Sequence, residues 1–234
     1  MQSETLYAGL IEGASPAGVF DAHVVACVVT LAVIEAETTG CSVSEGTGLS
    51  RDEMEGLLAA VNPCAVSLVD GLAAFSETSF STDELCLREL LGRYSTARNH
   101  MQFLLAAVIA RRAMRPNHLW QDLGLRNRGE LSQLMQRHFA PLAARNAQDM
   151  KWKKFLYRMI CRDEGFTLCV APSCSECKDF EVCFSDESGE SLLARNRRGL
   201  ELFEPRLAPL GLDHNRGAVK AELVAQAVHD ETLG

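Results

Sequence analysis

Positive charge is almost missing from the first 90 residues, which hold two basic side chains, Arg51 and Arg88, against fourteen acidic ones. Met1-Gln2-Ser3-Glu4 accordingly lacks the basic flank of a secretion signal, and Glu12 and Asp21 place acids in the stretch where its apolar region would lie. Long apolar runs are missing as well. The longest, Val24 to Ile34, is interrupted by Thr30 and falls well short of the roughly 20 residues that cross a bilayer. No transmembrane helix is expected, and the chain reads as cytosolic. A net charge of −8 argues against general binding to nucleic acid or anionic membranes, which relies on clustered Lys and Arg. A Ser/His/Asp order, a Gly-rich phosphate loop, a Walker pattern and a dinucleotide fingerprint are all absent, so no conventional enzymatic site is legible. There is no tandem repeat and no run of period-2 alternation bounded by turns.

Helical spacing is what the sequence does have. The 234 residues, 47% hydrophobic, suffice for the buried core of one large or two small domains. The periodicity predicts an all-α, bundle-like domain over residues 1–165, an irregular loop over 166–184 packed on it, and a weakly packed tail over 185–234. A first helix is expected from about Ala17 to Glu37, stopping near Gly40. Ser50 with Glu53, and Ser81 with Glu84, are capping-box patterns ahead of apolar residues. Met101 to Met114 reads as a helix stopped by Pro116, and Glu130 to His138 as another interrupted before Pro141. After Asp149, the residues Trp152, Phe155, Leu156, Met159 and Ile160 recur at helical spacing and form one apolar stripe. Lys151, Lys153, Lys154 and Arg158 lie mostly off that stripe, as a basic face, and Gly165 suits a C-terminal cap. Ser185 to Glu190 reads as a linker, with at most one short helix beyond it, around Ala218 to Val228.

Charge is split along the chain. Residues 1–90 carry a net −12, whereas residues 91–162 carry a net +11. Either the acidic and basic regions pack beside each other or lie on separate solvated surfaces, or the basic segment attracts an anion or an acidic partner.

Nine cysteines are an odd count, and in a reducing compartment they read as thiols or metal ligands rather than disulfides. Cys27, Cys41, Cys64, Cys86 and Cys161 are scattered and read as small buried hydrophobes. The other four, Cys169, Cys174, Cys177 and Cys183, form a C-x4-C-x2-C-x5-C cluster. Four soft thiolates suit zinc or an iron–sulfur cluster and hardly suit magnesium or calcium. The first three match the spacing of plant-type iron–sulfur ligation, although there the fourth ligand lies far away. Pro172, Ser173 and Ser175 favour a tight backbone path around a common focus. A zinc ion on the same thiolates would instead only staple the loop.

Three further blocks accompany the cluster. They are Pro116-Asn117-His118-Leu119-Trp120-Gln121-Asp122-Leu123-Gly124, Arg137-His138-Phe139-Ala140-Pro141-Leu142-Ala143, and Met150-Lys151-Trp152-Lys153-Lys154-Phe155. Together, and in this order, they resemble the NifQ family of nitrogen-fixation proteins, most distinctively over about Arg98 to Phe184. The resemblance implies a protein, not an enzyme, that carries a molybdenum–iron–sulfur cluster and donates molybdenum during biosynthesis of the nitrogenase iron–molybdenum cofactor. It implies as partners the cofactor-assembly scaffold complex and the nitrogenase iron protein. The family's cysteine motif falls on Cys169, Cys174, Cys177 and Cys183, while the tail after about residue 185 is longer than the family pattern.

Molybdenum arrives as the oxyanion molybdate, so a carrier must convert it from oxygen to sulfide surroundings. On this view the four cysteines hold the iron–sulfur part, and Lys151, Lys153, Lys154 and Arg158 attract molybdate or an acidic partner. His118, His138 and His100 are candidates for an additional nitrogen ligand, ahead of His23, His214 and His229. Two other readings use the same residues: a zinc-stapled interaction module, and an iron–sulfur electron carrier or redox sensor without molybdenum.

Overall fold

Ser42, Ser50, Ser81, Asn99 and Asn127 each stand immediately before a helix, and each accepts a hydrogen bond from the backbone N–H three residues on. These side chains satisfy donors that the first turn leaves without partners. The computed structural model describes residues 3–72, 75–163, 183, 187 and 189–193. The chain divides into two units after Arg195, and every described residue belongs to the first. Among the described residues the regular elements are all helical: α1 (Ser3–Ile11), α2 (Val19–Thr39), α3 (Val43–Thr47), α4 (Arg51–Val61), a 3-10 helix (Pro63–Gly71), α5 (Thr82–Arg93), α6 (His100–Ala113), α7 (Leu119–Asp122), α8 (Arg128–His138), α9 (Ala140–Ala143) and α10 (Trp152–Asp163).

The helices predicted from capping and periodicity are present. Ser50 and Glu53 form the reciprocal capping box of α4. At α5 only half of the expected box forms, because Glu84 is drawn inward to Arg88 and Arg111 instead of reaching back to the cap. Helix α2 runs two residues later than expected and stops where Gly40 adopts a left-handed φ of 74°. Helix α1, the short α3 and the 3-10 helix carry too few periodic positions to be legible in advance.

Helix α2 is the centre of the fold, packed against α1, α3 and α4, while α5 packs along α6. Residues Asp21 to Val33 are buried without a break, which is why this segment reads as an apolar run rather than a one-sided stripe. By length and composition alone α2, 21 residues from Val19 to Thr39, is long and apolar enough to cross a membrane. Of its most apolar window, however, 72% is buried inside the protein, as in a core helix. Gly46 lets α3 approach closely: a Cβ there would lie 2.8 Å from that of Ala32.

The split charge is resolved by packing. Arg112 of α6 is fully buried, with Nη1 2.7 Å from Glu35 Oε1, and burial lowers its pKa from the ordinary value against the pull of Glu35. From α8, Arg137 and His138 both reach Asp21 Oδ1 at 2.9 Å, and Glu130 accepts from His23 Nε2 at 3.1 Å. The basic half of the chain thus supplies partners to the acidic helix α2.

The scattered cysteines are only partly as expected. Cys27 is buried, but Cys41 and Cys86 are half-buried and Cys64 is exposed in the first turn of the 3-10 helix, whose other side carries the buried Ala65 and Val69. Cys161 lies outside the residues whose side chains are described.

Candidate metal centre

Helix α10 is fixed by its apolar stripe. Trp152, Phe155, Leu156 and Met159 are buried and Ile160 is half-buried, with the Trp152 and Phe155 rings edge to face at 5.8 Å. Lys151 precedes the helix as its main-chain cap: its carbonyl accepts from Phe155 N, and its N–H donates to the carbonyl of Cys183 at 2.9 Å. Cys183 is half-buried and packs against the core. The chain leaves α10 at Asp163 and is next described at Cys183, so the two described flanks of the cysteine segment sit at opposite ends of a helix about 18 Å long. Cys169, Cys174 and Cys177, with Gly165, lie outside the described residues, as do residues 194–234 with His214, His229 and the short helix expected near Ala218.

Glu187 and residues 189–193, the described part of the expected linker and its continuation, are docked on the helices. Glu187 is buried, bridged by Arg128 Nη1 at 2.7 Å and by His118 Nδ1 at 3.2 Å. Gln121 donates to the Glu190 carbonyl at 2.9 Å, Ser191 donates to the Gly124 carbonyl, and Leu193 is buried. Gly189 adopts a φ of 145°, a backbone conformation that residues with a side chain rarely take. The charged arm is Arg128, whose other nitrogen donates to the carboxylate and carbonyl of Asp149 and to the Met150 carbonyl. One arginine therefore ties the segment after the cysteines to the turn before α10. No sequence spacing marks Arg128 or Glu187, because their pairing spans 59 residues.

The predicted basic face is not one surface. Lys153 turns inward: Nζ donates to Asp122 Oδ2 at 2.5 Å and to the Arg115 carbonyl. Burial lowers its pKa, opposed by Asp122. Lys154 is exposed, Lys151 is half-exposed beside Cys183, and Arg158 lines a surface cleft of about 260 Å³ with Arg145, Gln148, Met150, Phe155 and Met159. A second cleft, of about 610 Å³, carries Glu35, Glu45 and Glu77 as well as Arg111 and Arg115, so its charges are largely balanced.

The candidate histidines have separate surroundings. His138 is buried on Asp21, His118 pairs with Glu187, and His100 is exposed at the start of α6. His23, ranked lower from sequence, lies among Tyr7, Glu130 and Cys27: with Nε2 donating to Glu130, Nδ1 accepts the Tyr7 hydroxyl at 2.7 Å, and the Cys27 thiol stands 3.6 Å from Nδ1. Among the described residues no three His, Cys, Asp or Glu side chains converge as a metal site.

The sequence model of the NifQ family matches residues 24–185, a range that takes in all four clustered cysteines. A NifQ homolog of Sinorhizobium fredii is 42% identical over 172 residues, covering 74% of this chain and 75% of that protein. NifQ of Rhodobacter capsulatus is 52% identical over 84 residues (36% of this chain, 46% of that protein), and NifQ of Klebsiella pneumoniae is 46% identical over 81 residues (34% and 48%). No solved structure matches. With more than half of its length inside the family match, the chain belongs to the NifQ family of nitrogen-fixation proteins.

Proposed function

We propose that this chain carries molybdenum within an iron–sulfur cluster and hands it over during assembly of the nitrogenase iron–molybdenum cofactor, with no turnover chemistry of its own. The observation that carries this reading is the family match ending two residues after Cys183, so that the whole C-x4-C-x2-C-x5-C motif falls within it. Thiolate is the donor that iron sulfide takes, and Cys169, Cys174, Cys177 and Cys183 supply four. The metal is cargo. The rest of the chain positions that cargo: α10 and the Lys151 to Cys183 bond fix one end of the motif, and Arg128 with Glu187 fixes the segment beyond it. The partners in this proposal are the cofactor-assembly scaffold complex, on which molybdenum is donated, and the nitrogenase iron protein, met in the cytosol.

Elemental analysis of protein purified anaerobically from nitrogen-fixing cells tests the proposal. Iron together with molybdenum is expected, lost when the four cysteines are replaced by serine. Stoichiometric zinc without iron would make the motif a staple and overturn the reading; iron without molybdenum would reduce it to an electron carrier or redox sensor.

A further inference from the structure

The turn between α5 and α6 and the turn between α9 and α10 meet at Tyr94. The Arg145 guanidinium carbon stands 4.9 Å from the centroid of the Tyr94 ring, whose π face attracts the cation and orients it. Arg98 Nη2 donates to the carbonyl of Arg93, the residue bonded to Tyr94, at 3.5 Å. Both Arg98 and Arg145 are exposed, and among the described residues neither meets a carboxylate, whereas the neighbouring Arg93 is held by Glu89 at 2.7 Å. Phe103 of α6 borders the same turn. It is 48% exposed, and a Cβ on Gly92 would meet its ring at 3.4 Å.

Both turns are held in shape. The buried Gln102 side chain accepts from Ala97 N at 2.7 Å and from Arg98 N at 3.0 Å, while Asn99 caps α6. Thr96 N donates to the His138 carbonyl at 2.8 Å and Ala140 N donates to Thr96 Oγ1 at 3.0 Å, which fastens the first turn to the start of α9. In the second turn Asn146 accepts from Met150 N and donates to the Met150 carbonyl, both at 2.9 Å. Each turn also carries one of the two non-glycine residues with positive φ among the described residues, Arg98 at 51° and Asp149 at 53°. Such backbone persists only where the surroundings over-determine it. Arginine and aromatic side chains dominate protein–protein contacts, and a rigid base lowers the cost of ordering them on binding.

We infer that this face, with Arg98 and Arg145 around Tyr94 and Phe103 beside them, is a docking surface for an acidic protein partner. Guanidinium groups without carboxylates of their own fit carboxylates supplied by another surface, in paired hydrogen bonds. A different protein fits better than a second copy, because Asp21, Glu35 and Glu84 of this chain's acidic half already serve Arg137, Arg112 and Arg88. Arg145 lies six positions before Lys151, whose amide holds the Cys183 carbonyl, so the docked partner meets the chain near the anchored end of the cysteine motif. The acidic class is set by the face alone; the cofactor-assembly scaffold complex as its source rests on the proposed function.

Biolayer interferometry of the full-length protein, purified anaerobically, against the purified scaffold complex tests this. The wild type should bind, more weakly as salt is raised, and Arg98→Gln and Arg145→Gln should each weaken binding about tenfold or more. Arg145→Lys, which keeps the charge without the fork, should weaken it less. Arg51→Gln removes the same charge from α4 and should bind as wild type. In the complex, amide hydrogen exchange should slow at Ala97 to Asn99 and at Ala147 and Gln148. Absence of wild-type binding, unchanged exchange in both turns, or wild-type affinity in both Gln variants with circular dichroism confirming their fold, would overturn the inference. Self-association of the wild type that both Gln variants abolish would give the face to a second copy and overturn it as well. Failure of the proposed function is a separate result, protein without iron or molybdenum when purified from nitrogen-fixing cells, and it is read from metal content rather than from binding.

Discussion

The amide of Lys151 donates to the carbonyl of Cys183 at 2.9 Å, so the last cysteine of the motif is held beside the first turn of α10 by a bond that makes no use of its thiol. Position and ligand chemistry are therefore separable at this residue, and substitution can remove one without the other.

Cys183→Ser keeps that main-chain bond and removes a soft donor. Iron and molybdenum in the anaerobically purified protein should fall to near background, with Tm within about 3 °C of wild type. Full metal content in the variant would show that the motif does not need its fourth cysteine.

Arg128→Gln leaves the buried Glu187 carboxylate without its guanidinium partner, with His118 Nδ1 at 3.2 Å and Lys153 within electrostatic reach. Removing one partner of a buried ion pair costs about 3 kcal/mol or more. The loss should appear first as local opening, with amide hydrogen exchange of residues 187–193 faster by about a hundredfold. Unchanged exchange there would mean that Arg128 does not hold the segment.

Burial holds Lys153 below the ordinary lysine value, so between its lowered pKa and the ordinary one the unfolded chain binds more protons than the folded chain. Unfolding free energy should therefore rise with pH across that alkaline window, and Lys153→Met should flatten the rise. At neutral pH the single variant leaves Asp122 buried without its cation and should lose about 3 kcal/mol. Lys153→Met combined with Asp122→Asn should recover part of this. Denaturant titrations at several pH values measure both effects.

Gly46→Ala tests the contact of α3 with α2. Helix propensity alone favours alanine by about 1 kcal/mol, but the new Cβ would lie 2.8 Å from Ala32 Cβ. Overpacking should dominate and destabilise the protein by about 1–3 kcal/mol, read from thermal unfolding. A rise in Tm would show that α3 can move away without cost.

Two helices, α4 with its capping serine and α10 with its clear apolar stripe, were legible because capping and periodicity are local properties of the chain. Helix α2 was legible as a helix but not as a central one: a segment buried on all sides has no stripe to point toward a partner. Lys153 was misread as part of an open basic face, since its spacing from the stripe says nothing about the carboxylate of Asp122 that waits on α7. Glu187 and Glu190 read as linker residues by composition, yet they dock through Arg128 and Gln121.

By itself the sequence determined the helical class, the positions of the capped helices and the four thiols at C-x4-C-x2-C-x5-C spacing, because each depends on residues near one another in the chain. Only the tertiary structure decided which charges meet. Pairs such as Arg112 with Glu35, His138 with Asp21 and Arg128 with Glu187 join residues far apart in sequence, and it is packing of the apolar faces that brings them within reach. The same packing brings Arg145 and Arg158, thirteen positions apart, to the lining of one cleft.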